Sequence, residues 1–183
     1  MTYGMTKVSS ISKYLEGGDL RSTGKVKFLL PLIKSQKDFD DLFAYLYSKD
    51  RLMIMRAADA LEKITIGNPE YLYRHKKELI GFLQNATHKE FKWHLSLLVS
   101  RLTLSPKELK IVLGKLKMWA KDPSESKIVR VNALQALYDL ICQEQGMEKE
   151  FKALVKELQK EGVPSINARI KKIKNKYLSK DVD

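Results

Sequence analysis

Five apolar positions return unchanged at a spacing of 38 residues, and this period constrains the fold more than any other feature of the chain. Met53, Ala57, Ala60, Leu61 and Ile64 form one set, and Phe91, Leu95, Leu98, Val99 and Leu102 the next. Val129, Ala133, Ala136, Leu137 and Leu140 form the third. Each set is spaced i, i+4, i+7, i+8, i+11, one buried stripe of an α-helix. Between these stripes lies a second template. Phe39, Leu42, Phe43 and Leu46 are spaced i, i+3, i+4, i+7, as are Leu79, Phe82, Leu83 and Ala86, then Leu109, Val112, Leu113 and Leu116, then Phe151, Leu154, Val155 and Leu158. Each unit therefore contains a first and a second helix. A fixed period of this length cannot bury its apolar face within one unit, so neighbouring units must stack.

Second helices are predicted near residues 51–65, 89–103, 127–142 and 164–178, the last carrying Ile166, Ile170, Ile173 and Tyr177 on one face. The start signals agree. Asn68-Pro69 and Ser105-Pro106 each set a capping residue before a proline. Ser105 with Glu108, and Thr87 with Glu90, read as capping boxes, and Asp122 to Glu125 resembles a third. Gly67 and Gly146 sit where helices should end. No sustained period-2 alternation argues for a strand. The expected fold is all-α: a short right-handed α-solenoid of about four two-helix repeats (residues 25–183), preceded by an N-terminal extension with a Gly-rich basic loop (residues 1–24). Ile11, Tyr14 and Leu15 support a short helix in that extension. Phe28 to Ile33 makes another around Pro31, with Val26 and Phe28 closing the end of the core.

The stretches from Phe43 to Ile64 and from Lys115 to Leu140, with their "RAADAL" and "RVNALQAL" second helices, resemble HEAT repeats. Small residues there let adjacent helices approach closely. The resemblance spans about Gln36 to Leu178. It implies a scaffold, transport receptor or adaptor. A subgroup of HEAT-like proteins binds DNA and includes alkylpurine DNA glycosylases, whose catalytic set finds no match here. The second unit departs from the pattern, with Trp93-His94 in place of Arg-Ala.

Candidate chemistry is sparse. His75, His88 and His94 lack ligand spacing, and neither a metal nor a cofactor is expected. "GGDLRSTGK" (Gly17 to Lys25) lacks the spacing and the hydroxyl residue of a phosphate loop and reads as a flexible basic linker. Cys142, the single cysteine, reads as a buried thiol in a reducing, cytoplasmic protein. Trp93 and Trp119 read as packing residues before stacking platforms. The longest apolar run, Phe28 to Ile33, is far short of the ~20 residues of a membrane span, so no membrane partner is expected.

Charge carries the strongest functional signal, at a net +12. The 38-residue register aligns Arg51, Lys89 and Lys127, and one turn later Ile54, Lys92 and Arg130. Stacked ~8–10 Å apart, these form a cationic ridge along the second helices. A second basic surface is expected from Arg169, Lys171, Lys172, Lys174 and Lys176 on the last helix, whereas Lys110, Lys117 and Lys121 read as solubilising charge. The expected function is a non-catalytic scaffold for a protein or peptide, an acidic one fitting the ridge. The alternative is a nucleic-acid binder contacting phosphates, in which charge reversal at Lys92 and Arg130 abolishes binding without lowering stability. A glycosylase-like enzyme, with Trp93, Trp119, Asp122 and Glu125 to test, is the third reading.

Overall fold

In a computed structural model, residues 11–143 and 147–178 are described, with the side chains of 177 and 178 excepted. Their regular structure is entirely helical, joined by turns and loops, without a strand among the described residues. They divide into two compact units, residues 1–78 and 79–183.

The first unit opens with α1, described over residues 11–15. It continues through α2 (Val26–Leu29), a 3-10 turn (Leu30–Leu32), α3 (Gln36–Phe43), a 3-10 turn (Ala44–Tyr47) and α4 (Arg51–Ile64) to a 3-10 helix (Pro69–His75). Helix α4 is the centre of this unit, with α2 and α3 packed on it. Ala57, Ala58 and Ala60 are wholly buried, which is what small residues in the repeat signature are for: they bring the neighbouring helix axes close. Leu61, Phe39 and Leu42 are likewise buried, each large apolar side chain contributing ~1.5–3 kcal/mol. One expectation fails at α2. Val26 and Leu29 are buried, but Phe28 is 56% exposed, because residues three apart share the buried face and Phe28 falls outside it.

Helix α5 (Lys76–Asn85) crosses from the first unit to the second, which then contains α6 (Lys89–Val99), α7 (Pro106–Lys121), α8 (Lys127–Ile141), α9 (Glu148–Lys160) and α10 (Pro164–Leu178). Helix α8 packs against α6, α7, α9 and α10. It is accordingly buried nearly all round, from Val129 to Ile141. The second helices begin as the period predicts. Helix α6 stops at Val99, earlier than expected, and a turn carries Leu102 into the core.

The caps are partly those of the sequence. Ser105 and Glu108 form the expected box, the Ser105 amide donating to Glu108 Oε2 at 2.8 Å. Thr87 does not cap α6; His88 occupies that position and Glu90 is buried. Ser126, not Asp122, caps α8, while Asp122 closes a turn by accepting from the Ser124 amide at 2.8 Å. Asn68 precedes a 3-10 helix and turns its side chain back to the Ile64 carbonyl at 3.3 Å. Ser35 and Asp50 are additional caps, of α3 and α4. Gly162 ends α9 with φ +70°, a left-handed conformation that suits glycine. Gly146 lies outside the described residues. Cys142 is exposed rather than buried: it follows the last residue of α8, and the burial of Leu140 and Ile141 stops there.

Candidate functional site

The basic residues of the 38-residue register fall into two groups. Lys89 and Lys127, the first residues of the packed helices α6 and α8, are exposed. Lys92 and Arg130, one turn later, point inward. The Lys92 side chain is 14% exposed, forms an ion pair with Glu125 in the α7–α8 loop and lies 5.6 Å from the Trp119 ring centroid. The Arg130 side chain is 4% exposed. Its Nη2 donates to Glu161 Oε2 at 2.6 Å and its Nε to the Ala120 carbonyl at 2.9 Å. Ala120 lies in the last turn of α7, where a carbonyl has no partner within the helix, so Arg130 caps that end while pairing with the loop before α10. Each of these cations reaches forward, from a second helix to the loop that precedes the next one. The sequence expectation that both are available to a ligand, and that reversing them spares stability, is therefore corrected: their charges are already met, and both are part of the packing. Arg51, in the first unit, begins α4 and is half-exposed.

The other predicted cations sort similarly. Arg169 is half-buried and donates to Gln135 Oε1 at 3.1 Å. Burial lowers its pKa, with Asp139 opposing. Burial also raises Asp139, against Gln135, Lys176, Arg101 and Arg169. Lys171, Lys172, Lys174 and Lys176 are exposed on α10, with Lys174 Nζ at 3.4 Å from Gln159 Oε1. Lys117 and Lys121 form exposed ion pairs with Glu150 (2.9 Å) and Glu157 (2.8 Å) of α9. Exposed pairs like these contribute ~0–1 kcal/mol.

The four residues of the enzyme reading do not converge on an open cleft. Trp119 is 1% exposed, Glu125 is held by Lys92, and Asp122 is tied to Ser124, whose hydrogen bonds lower its pKa. Trp93 differs: it is half-buried on α6, one turn beyond Lys89, which makes the two neighbours on the helix surface. Among the described residues no group of three or more His, Cys, Asp or Glu could hold a metal, and no helix is long and apolar enough to cross a membrane.

Two polar constructions in the first unit escape sequence reading. Arg56 is wholly buried, its Nη1 donating to the carbonyls of Leu15 (3.1 Å) and Glu16 (2.7 Å) and its Nε to that of Ser22 (3.3 Å). It caps the end of α1 and fixes the Gly-rich loop, so the segment read as a flexible linker is wrapped around a guanidinium. Gly18 and Gly24, at φ +76° and +57°, lie against it. The 38-residue register continues Arg56 into His94 and Asn132, both buried, so the repeat carries a polar column beside its apolar ones. The second construction centres on His75. Its Nε2 lies 2.8 Å from Asp40 Oδ1 and its Nδ1 3.0 Å from Glu78 Oε2, and its ring stacks on Phe43 at 3.8 Å. Burial pushes both carboxyls up, but hydrogen bonds and charge outweigh it. Gln36, His75 and Arg74 hold Asp40 below its ordinary value, and Tyr47 and His75 do the same for Glu78. Glu78 in turn pushes the Tyr47 phenol up to about 12. This network ties the 3-10 helix to α3.

A protein-family model described as a HEAT repeat domain matches residues 20–177. The chain belongs to the HEAT-repeat family. No curated protein and no solved structure matched it. HEAT repeats commonly serve as protein-interaction scaffolds, and the paired-helix units of the second compact unit are those of such a repeat. The family assignment also accounts for the alanines of α4 and α8, which lie at helix contacts.

Proposed function

We propose that the chain is a non-catalytic, cytoplasmic HEAT-repeat scaffold that binds an acidic segment of a protein partner across the second helices α6 and α8. The supporting observation is the division of the register cations. Lys92 and Arg130 are neutralised within the fold, whereas Lys89 and Lys127 are exposed at the starts of adjacent helices, with Trp93 half-exposed beside the first. A row of few cations with an aromatic neighbour suits an acidic peptide carrying one apolar anchor, because aromatic residues concentrate binding energy. Lys171, Lys172, Lys174 and Lys176 extend the basic character of the same unit to its last helix. Backbone binding to nucleic acid asks for more free cations than the ridge retains.

The test is capture of partners by the full chain, compared with Lys89→Glu/Lys127→Glu, with Trp93→Ala and with Lys110→Glu. The reading expects one protein to be lost by the first two variants and kept by the third. Salt-sensitive retention of duplex DNA or RNA, abolished by Lys89→Glu/Lys127→Glu, would move the assignment to nucleic acid.

A further inference from the structure

Between Asp19 and Asp38 lie five cations, Arg21, Lys25, Lys27, Lys34 and Lys37, and no carboxylate, with Arg21 paired to Asp19 at 3.4 Å, while the chain as a whole carries 34 basic and 22 acidic residues. All five are exposed. In their midst Phe28 and Leu32 are 56% and 50% exposed, four residues apart on α2 and the following 3-10 turn, with Pro31 exposed between them. Val26 and Leu29 fix α2 to α4 by its other face, so this apolar pair is held outward by the packing beneath it. Lys27 Nζ lies 4.9 Å from the Phe28 ring centroid.

We propose that this strip is a peripheral docking surface for an anionic lipid bilayer. Phe28 and Leu32 enter the boundary between headgroups and acyl chains, and the surrounding cations meet anionic headgroups. Two features favour a bilayer over a protein. Phe28 and Leu32 are exposed apolar side chains, which a fluid bilayer takes in without a preformed groove. The five exposed cations flank the pair in sequence, from Arg21 to Lys37, and mobile anionic headgroups adjust to exposed cations whatever their spacing. A surface contact needs no spanning helix, so the short apolar run is no obstacle. The strip lies in the first unit and the proposed partner surface in the second, so either proposal can fail without the other.

The experiment is co-sedimentation of the full chain with phosphatidylcholine vesicles, with and without about one third phosphatidylserine. Binding is expected only with phosphatidylserine and is weakened by salt. Lys25→Glu/Lys27→Glu should reduce it more than tenfold, at about fivefold per cation near the surface. Phe28→Ser/Leu32→Ser should reduce it at unchanged net charge, and Lys110→Glu/Lys149→Glu, the same charge reversal outside the strip, should leave it within about twofold. All these side chains are exposed, and unchanged melting curves confirm that the variants fold. No binding, equal binding to neutral vesicles, equal loss in Lys110→Glu/Lys149→Glu, or full binding by Phe28→Ser/Leu32→Ser overturns the proposal. Retention on immobilised polyglutamate that Lys25→Glu/Lys27→Glu abolishes, without vesicle binding, assigns the strip to an acidic protein instead.

Discussion

Replacing Arg130 by Met removes the guanidinium and keeps most of the stem, so it separates the charge from the packing. Two contacts disappear: the 2.6 Å hydrogen bond to Glu161 and the 2.9 Å hydrogen bond to the Ala120 carbonyl. Removing one partner of a buried pair costs ~3–5 kcal/mol. Glu161 is 31% exposed and recovers part of its hydration, which places the cost at the lower end. The orphaned carbonyl adds ~1 kcal/mol or more. The expected loss is about 4 kcal/mol, or on the order of 10 °C in Tm for a chain of this size. Lys121→Met is the internal comparison. Its ion pair with Glu157 is exposed at 46% and 54%, and its loss should cost ~0–0.5 kcal/mol. Urea unfolding of both variants, followed by circular dichroism, reads the difference. A cost below ~1 kcal/mol for Arg130→Met would show that the pair behaves as a surface bridge and would refute the inward-facing account.

Gly24→Ala should destabilise the chain by more than Gly17→Ala. Both have positive φ, but a Cβ at Gly24 would lie 2.7 Å from Arg56 Cζ, whereas Gly17 faces open space; thermal melts compare them, and equal costs would argue against the clamped loop. Asp40→Asn should lower stability at neutral pH. The Asp40 pKa is lowered from 3.8 in the folded state, so its contribution is present above that value and fades as pH falls through the lower folded pKa, where variant and parent should converge. Cys142 should be modified by a thiol reagent in the native state at the rate of an exposed thiol; labelling only after unfolding would place it in the core.

The sequence makes the stripes legible because burial repeats with the fold: Ala57, Leu95 and Ala133 occupy one position three times, and a period records that directly. What it hides is where a polar side chain turns. Lys92 and Lys89 look alike in a register, yet one turn of helix separates an internal ion pair from an exposed cation. The partner of Lys92 lies 33 residues ahead and that of Arg130 31 ahead, in loops that the apolar period does not index. Aligning acidic residues of the loops, Glu125 with Glu161, against the second helices is the signal that finds them. Arg56 was invisible for a different reason: its partners are backbone carbonyls, which leave no residue type to read. Cys142 misses by one position at the end of α8, and Phe28 by one position on the face of α2, where one residue exchanges core for solvent.

A crystal structure of the full chain tests the central claim most directly. The account predicts the Arg130 guanidinium buried between Glu161 and the Ala120 carbonyl, with Lys92 on Glu125 and with Lys89 and Lys127 in solvent. An Arg130 side chain extended into solvent, with Glu161 turned away, would contradict it.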